Sequence, residues 1–136
     1  MDRPTFTLLN MYGNGKGYQI KARSALPILI QVGKERNTLN YSELMERIGV
    51  SRRYVGNMLG SIWVTLYELQ TEWEEQGHLV DIPNLTWLVV LKDKGLPGYD
   101  DNISQSEFEA ECEKIFNFPM WTSVHEAIVE NIVLQL

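Results

Sequence analysis

Residues 40–60 read NYSELMERIGVSRRYVGNMLG, and the reading of this stretch decides the fold. It divides into two short helices around a tight turn. Asn40 caps the first helix, and Glu43 three residues on completes a capping box. Leu44 and Ile48 then share a face at i, i+4 spacing. Gly49 suits the left-handed conformation that ends many helices. Ser51 can cap a second helix, along which Val55, Leu59 and Ile62 form an apolar stripe. Two helices joined this way describe a helix-turn-helix. The second begins Arg52-Arg53-Tyr54, with Asn57 one turn on, so that Ser51, Arg52, Arg53, Tyr54 and Asn57 would face a major groove. The plainer alternative is a helical hairpin that only packs, because such pairs recur on folds that bind nothing.

Downstream, the apolar positions 55, 59, 62, 66, 69 and 73 continue the helical spacing, which stops at Gly77. Either one long helix runs from Arg52 to Gln76, or Gly60-Ser61 breaks it in two. Glycine is unfavourable in a helix interior, so Gly56 and Gly60 call for a reason, such as a close backbone approach. Glu68, Glu72 and Glu75 fall at i, i+4 and i+7 on the outer face. That ridge is either solvated or a docking surface for a basic partner.

Upstream, Thr5–Tyr12 and Tyr18–Ala22 are β-prone segments around Gly13-Asn14-Gly15-Lys16-Gly17, which predicts an N-terminal β-hairpin. The glycines near Lys16 do not make a phosphate loop, because the Walker spacing is absent. Lys16 is therefore expected in a turn remote from the helix pair. Ser24–Arg36 reads as a helix with Pro27 in its first turn, and Thr38–Asn40 as a short strand.

After Ile82-Pro83, Thr86–Lys92 reads as a strand and Asp93-Lys94-Gly95 as its turn. This hairpin is the expected wing, with Lys92 and Lys94 near its tip. Ser104 with Glu107 caps a helix on Phe108, Cys112, Ile115 and Phe116, and Ser123 with Glu126 caps a last one. The predicted fold is thus α/β (α+β): a winged helix-turn-helix with an N-terminal β-hairpin and two extra C-terminal helices. It is expected as one domain, divided into a hairpin (1–23), a winged-helix core (24–99) and C-terminal helices (100–136).

At 136 residues the chain can bury a core without disulfides or metals, and no apolar run spans a bilayer. A signal peptide is not visible, and the single Cys excludes an internal disulfide, which fits a cytoplasmic protein. Net charge is −6, which argues against non-specific nucleic-acid binding by the whole molecule. The charge is unevenly spread. Residues 1–57 carry nine Lys and Arg against four Asp and Glu, a balance of +5, and residues 58–136 carry three against fourteen, −11. Neither His78 nor His125 is spaced to pair with a nucleophile, and no cluster has metal-ligand spacing. No cofactor and no catalytic residue is expected.

At Tyr41, Arg53-Tyr54-Val55-Gly56 and Ile82-Pro83 the chain resembles the DNA-binding domain of alkylguanine-DNA alkyltransferases and alkyltransferase-like proteins. The matching letters are NYSEL, RYVGNML and IPNLTWLVVLKDKGLPGY, and the likeness covers Ala25 to Tyr99. The resemblance implies that Tyr41 would help turn a phosphate and that Arg53 would fill the gap left by a flipped base. It also implies that alkyl transfer is lost: Asn84 stands where the family has its acceptor Cys, and the following His and Arg are missing. The sequence thus points to a non-enzymatic DNA-binding protein, regulatory or lesion-sensing, using Tyr41, the start of the second helix, Lys92 and Lys94. The alternative is an acidic immunity protein or antitoxin that masks a basic nuclease through Glu68, Glu72 and Glu75.

Overall fold

The computed structural model describes residues 9–12, 16–98 and 102–135, with side chains described as far as residue 130. The chain is mostly helical. The described residues form helices α1 (Gly17–Lys34), α2 (Tyr41–Ile48), α3 (Arg52–Glu75), α4 (Gln105–Asn117) and α5 (Trp121–Gln135), with two 3₁₀ turns, Asn10–Tyr12 before α1 and Leu85–Leu88 after α3. Strands β1 (Leu39–Asn40) and β2 (Val89–Val90) form a parallel pair, with Leu39 opposite Val89 and Asn40 opposite Val90.

The expected α/β winged helix with an N-terminal hairpin is therefore corrected in three places. Tyr18–Ala22 is helix rather than strand, because Gln19, Ala22 and Leu26 fall on one buried face at helical spacing. Residues 5–8 and 13–15, the rest of that hairpin, lie outside the described residues. Helix α1 consequently runs through the expected 23/24 boundary, and Pro27 sits in its middle on the solvent side. Thr86–Lys92 is not a long strand either. Asn84 Oδ1 accepts from the Thr86 N–H (3.2 Å) and the Thr86 hydroxyl (2.6 Å), which winds Leu85–Leu88 into a 3₁₀ turn. Only two residues remain extended, and the Asp93–Gly95 turn is closed by Gly95 N–H to Leu91 O (2.7 Å) and Leu91 N–H to Leu96 O (2.8 Å). Finally, α5 starts at Trp121, so Ser123 lies inside it and does not cap it. Trp121 anchors that start, donating its indole N–H to Ile115 O at 2.9 Å from a buried position.

Of the caps expected in the central stretch, Asn40 and Gly49 are made, whereas the Asn40–Glu43 pair forms only one half of a capping box and the Ser51 side chain makes no capping bond. Asn40 Oδ1 accepts the Glu43 N–H at 2.8 Å, and Gly49 ends α2 at φ +75°. Helix α3 is continuous, with Val55, Leu59, Ile62, Leu66 and Leu69 buried and Trp73 half-buried. Its glycines are not explained by packing. A Cβ on Gly56 or Gly60 would meet nothing within 4 Å. The close approach is at Gly33 of α1 instead, where a Cβ would stand 3.2 Å from Ile115 and 3.3 Å from Leu88.

A polar seam lies beside the apolar stripe of α3. Ser61 Oγ donates to Asn10 Oδ1 (2.6 Å), Thr65 Oγ1 accepts the Met11 N–H (3.1 Å), and a Glu68 oxygen accepts the Asn10 N–H (2.8 Å). From α1, Gln19 donates to Asn10 O (2.7 Å) and Arg23 to Met11 O (2.8 Å). The Arg23 guanidinium also covers the Tyr12 ring at 4.5 Å, and burial pushes the Tyr12 hydroxyl up to about 12 against the opposing pull of that cation. These bonds satisfy Gln19, Ser61 and Thr65, all buried, and fix residues 10–12 across α1 and α3. No helix among the described residues is long and apolar enough to cross a membrane.

Candidate nucleic-acid interface

The interface is built on the first two turns of α3. At about 100° per residue, Arg52 and Tyr54 project about 200° apart, on opposite flanks of the helix. Arg53, Gly56, Asn57 and Gly60 lie between them on the outer side, and all four are exposed. They form a ridge that carries one cation, one amide and two positions without side chains. The Arg53 guanidinium rests over the Tyr54 ring at 5.4 Å, within the range of a cation–π contact.

A cleft lies on each flank. The first, of about 540 Å³, is bounded by Tyr41 and Met45 of α2, Arg52 of α3, and Leu91, Lys92 and Asp93. Tyr41, Arg52 and Lys92, three of the expected DNA-binding residues, thus line one cleft, with the acidic Asp93 beside them. The Tyr41 hydroxyl oxygen accepts the Gly98 N–H at 3.2 Å, which ties the chain beyond β2 to the start of α2. Lys94 is exposed on the adjoining turn but does not line the cleft.

The second cleft, of about 750 Å³, was not foreseen. It lies between the start of α1 and the α2–α3 turn and is lined by Lys16, Tyr18 and Lys21 together with Ser51 and Tyr54. Lys16 is therefore beside the helix pair and not remote from it, because α1 reaches back to Gly17. Lys21 Nζ donates to Ile48 O at 3.2 Å, which holds its ammonium at the end of α2. Ser51 occupies the N-cap position of α3, yet its hydroxyl makes no capping bond.

The remaining expected residues have structural roles or stand apart. Asn84 winds the 3₁₀ turn and gives its N–H to Glu111 at 2.8 Å. Cys112 is buried in the core, and its thiol is pushed up to about 11 by burial, with the nearby Glu111, Glu113 and Glu109 adding to the shift. It is poorly suited to act as a nucleophile. Of the acidic ridge, Glu68 is occupied by Asn10, Glu72 is half-buried and Glu75 is exposed. Among the described residues, no three His, Cys, Asp or Glu side chains gather to hold a metal ion. Compared with known proteins, the chain matches no family model, no curated protein and no solved structure.

Proposed function

We propose that this protein is a non-enzymatic DNA-binding protein that seats the start of α3 against a duplex. The observation that carries this reading is the outward ridge of Arg53, Gly56, Asn57 and Gly60, exposed and flanked by Arg52 and Lys92 in a chain of net charge −6. Phosphates on one flank would position the protein, and Arg53 and Asn57 are the residue types that read base edges. The two bare glycines let the helix backbone come close to the groove wall. The resemblance to the alkyltransferase DNA-binding domain supports the same residues, Tyr41 and Arg53, without the chemistry. The test is fluorescence anisotropy with mixed-sequence duplex DNA at low salt. Binding is expected, weakened roughly tenfold or more by Arg53→Ala and falling steeply with salt. Absence of binding at low salt overturns the proposal.

A second reading draws on the acidic end of α3, where Glu74 and Glu75 are exposed. There the chain would be an immunity protein or antitoxin that masks a basic nuclease. Its charge would act mainly on the association rate.

A further inference from the structure

We infer that the cleft between the start of α1 and the α2–α3 turn is a second phosphate site, which holds the DNA strand on the flank of α3 opposite Arg52 and Lys92. The inference rests on the duplex-binding reading and extends it from one strand to both. The cleft is lined by the cationic residues Lys16 and Lys21, and among the described residues no acidic one lines it, although the chain has an excess of six negative charges. Lys21 uses one of its three N–H donors on Ile48 O, which keeps the ammonium at the cleft and leaves two donors to spare. The Ser51 hydroxyl, unused as a cap, and the Tyr18 and Tyr54 side chains supply the neutral donors that commonly meet sugar and phosphate.

The placement follows from helical geometry. Tyr54 borders this cleft and Arg52 borders the other, about 200° around the same helical turn. A helix lying in a groove has one backbone on each side of it. Cations on both flanks therefore match two strands, whereas cations on one flank would match one. At about 750 Å³ the cleft has room for a sugar-phosphate segment rather than a lone ion.

The experiment compares Lys16→Gln/Lys21→Gln with Arg52→Gln/Lys92→Gln by anisotropy on one duplex over a salt series. Each pair should weaken binding and make the slope of log affinity against log salt shallower by about one per cation removed. Lys16→Gln alone, at an exposed position, should give about half the effect of its pair, and it guards against a loss of folding from the Lys21–Ile48 bond. An unchanged slope and affinity in Lys16→Gln/Lys21→Gln, with the other pair impaired, overturns this inference and leaves duplex binding intact. Saturable binding of inorganic phosphate at Ser51 and Tyr18, read by amide NMR shifts, with no change in the duplex slope, would assign the cleft to a free anion and overturn the strand assignment. Failure of the unsubstituted protein to bind any duplex overturns both readings.

Discussion

A carboxylate oxygen of Glu68 accepts the backbone N–H of Asn10 at 2.8 Å, across 58 residues of chain. This bond ties one member of the acidic ridge to the fold. Glu68→Ala should cost about 1–3 kcal/mol, the range for a hydrogen bond to a charged group whose loss strands its partner. Glu75→Gln, at an exposed position, should stay within about 0.5 kcal/mol. Urea unfolding of the two variants checks this. Equal effects would mean that Glu68 is as free as Glu75.

The neighbouring Thr65 makes the same point without charge. Thr65→Val keeps the volume but leaves the buried Met11 N–H without its acceptor. The expected loss is about 1–3 kcal/mol, read as a lower urea midpoint with an unchanged slope.

Gly56 and Gly60 set stability against binding. Both lie inside α3 with open space where a Cβ would go, so Gly56→Ala and Gly60→Ala should each stabilise the protein by about 0.5–1 kcal/mol. If the ridge enters a groove, the same variants should bind duplex DNA more weakly while melting at a higher temperature. Stabilisation with no loss of binding would show that these glycines do not face the DNA.

Cys112 should be unreactive while the protein is folded. Its thiol is raised from 9.0 to about 11, so the folded state holds the proton more tightly than the unfolded one. The resulting stability is fully present below pH 9 and is lost as pH rises through about 11. A disulfide reagent at pH 8 should label the native thiol far more slowly than the urea-unfolded one. No label should pass from alkylated DNA to Cys112, and the alkaline loss of stability should flatten in Cys112→Ala.

The elements legible in the sequence were those specified locally. Asn40, Gly49 and the Ser104–Glu107 capping box mark their helix ends within three or four residues, and positions 55 to 69 announce α3 by period alone. Sequence and structure differ where tertiary packing outweighs local preference. Tyr18–Ala22 has strand-like composition, but Gln19 and Ala22 gain more by joining the buried face of α1. The Val-rich segment after Pro83 is buried at Leu85, Thr86, Leu88, Val89 and Val90 rather than on alternate residues, so it has no solvent face to define a hairpin strand. The second cleft is hidden for the same reason, since Lys16 comes to line the same cleft as Ser51 only once α1 begins at Gly17. One signal was available. Ser61, Thr65 and Glu68 repeat at helical spacing beside Ile62, Leu66 and Leu69, a polar seam that needed a partner from elsewhere in the chain.

The two-residue ladder between β1 and β2 closes a loop of 50 residues, from Leu39 to Val89. So few backbone bonds at such sequence separation make this pairing inexpensive to open and slow to form relative to the helices. The Lys92 turn hangs from it, whereas Lys21 belongs to a packed helix and Lys16 is the residue that caps it. The two flanks of the α3 ridge therefore differ in compliance. Amide exchange should be fast at Leu91 and Gly95 and slow along the middle of α1, so the α1 flank is the fixed jaw and the Lys92 flank is the one that yields to the width of what lies between them.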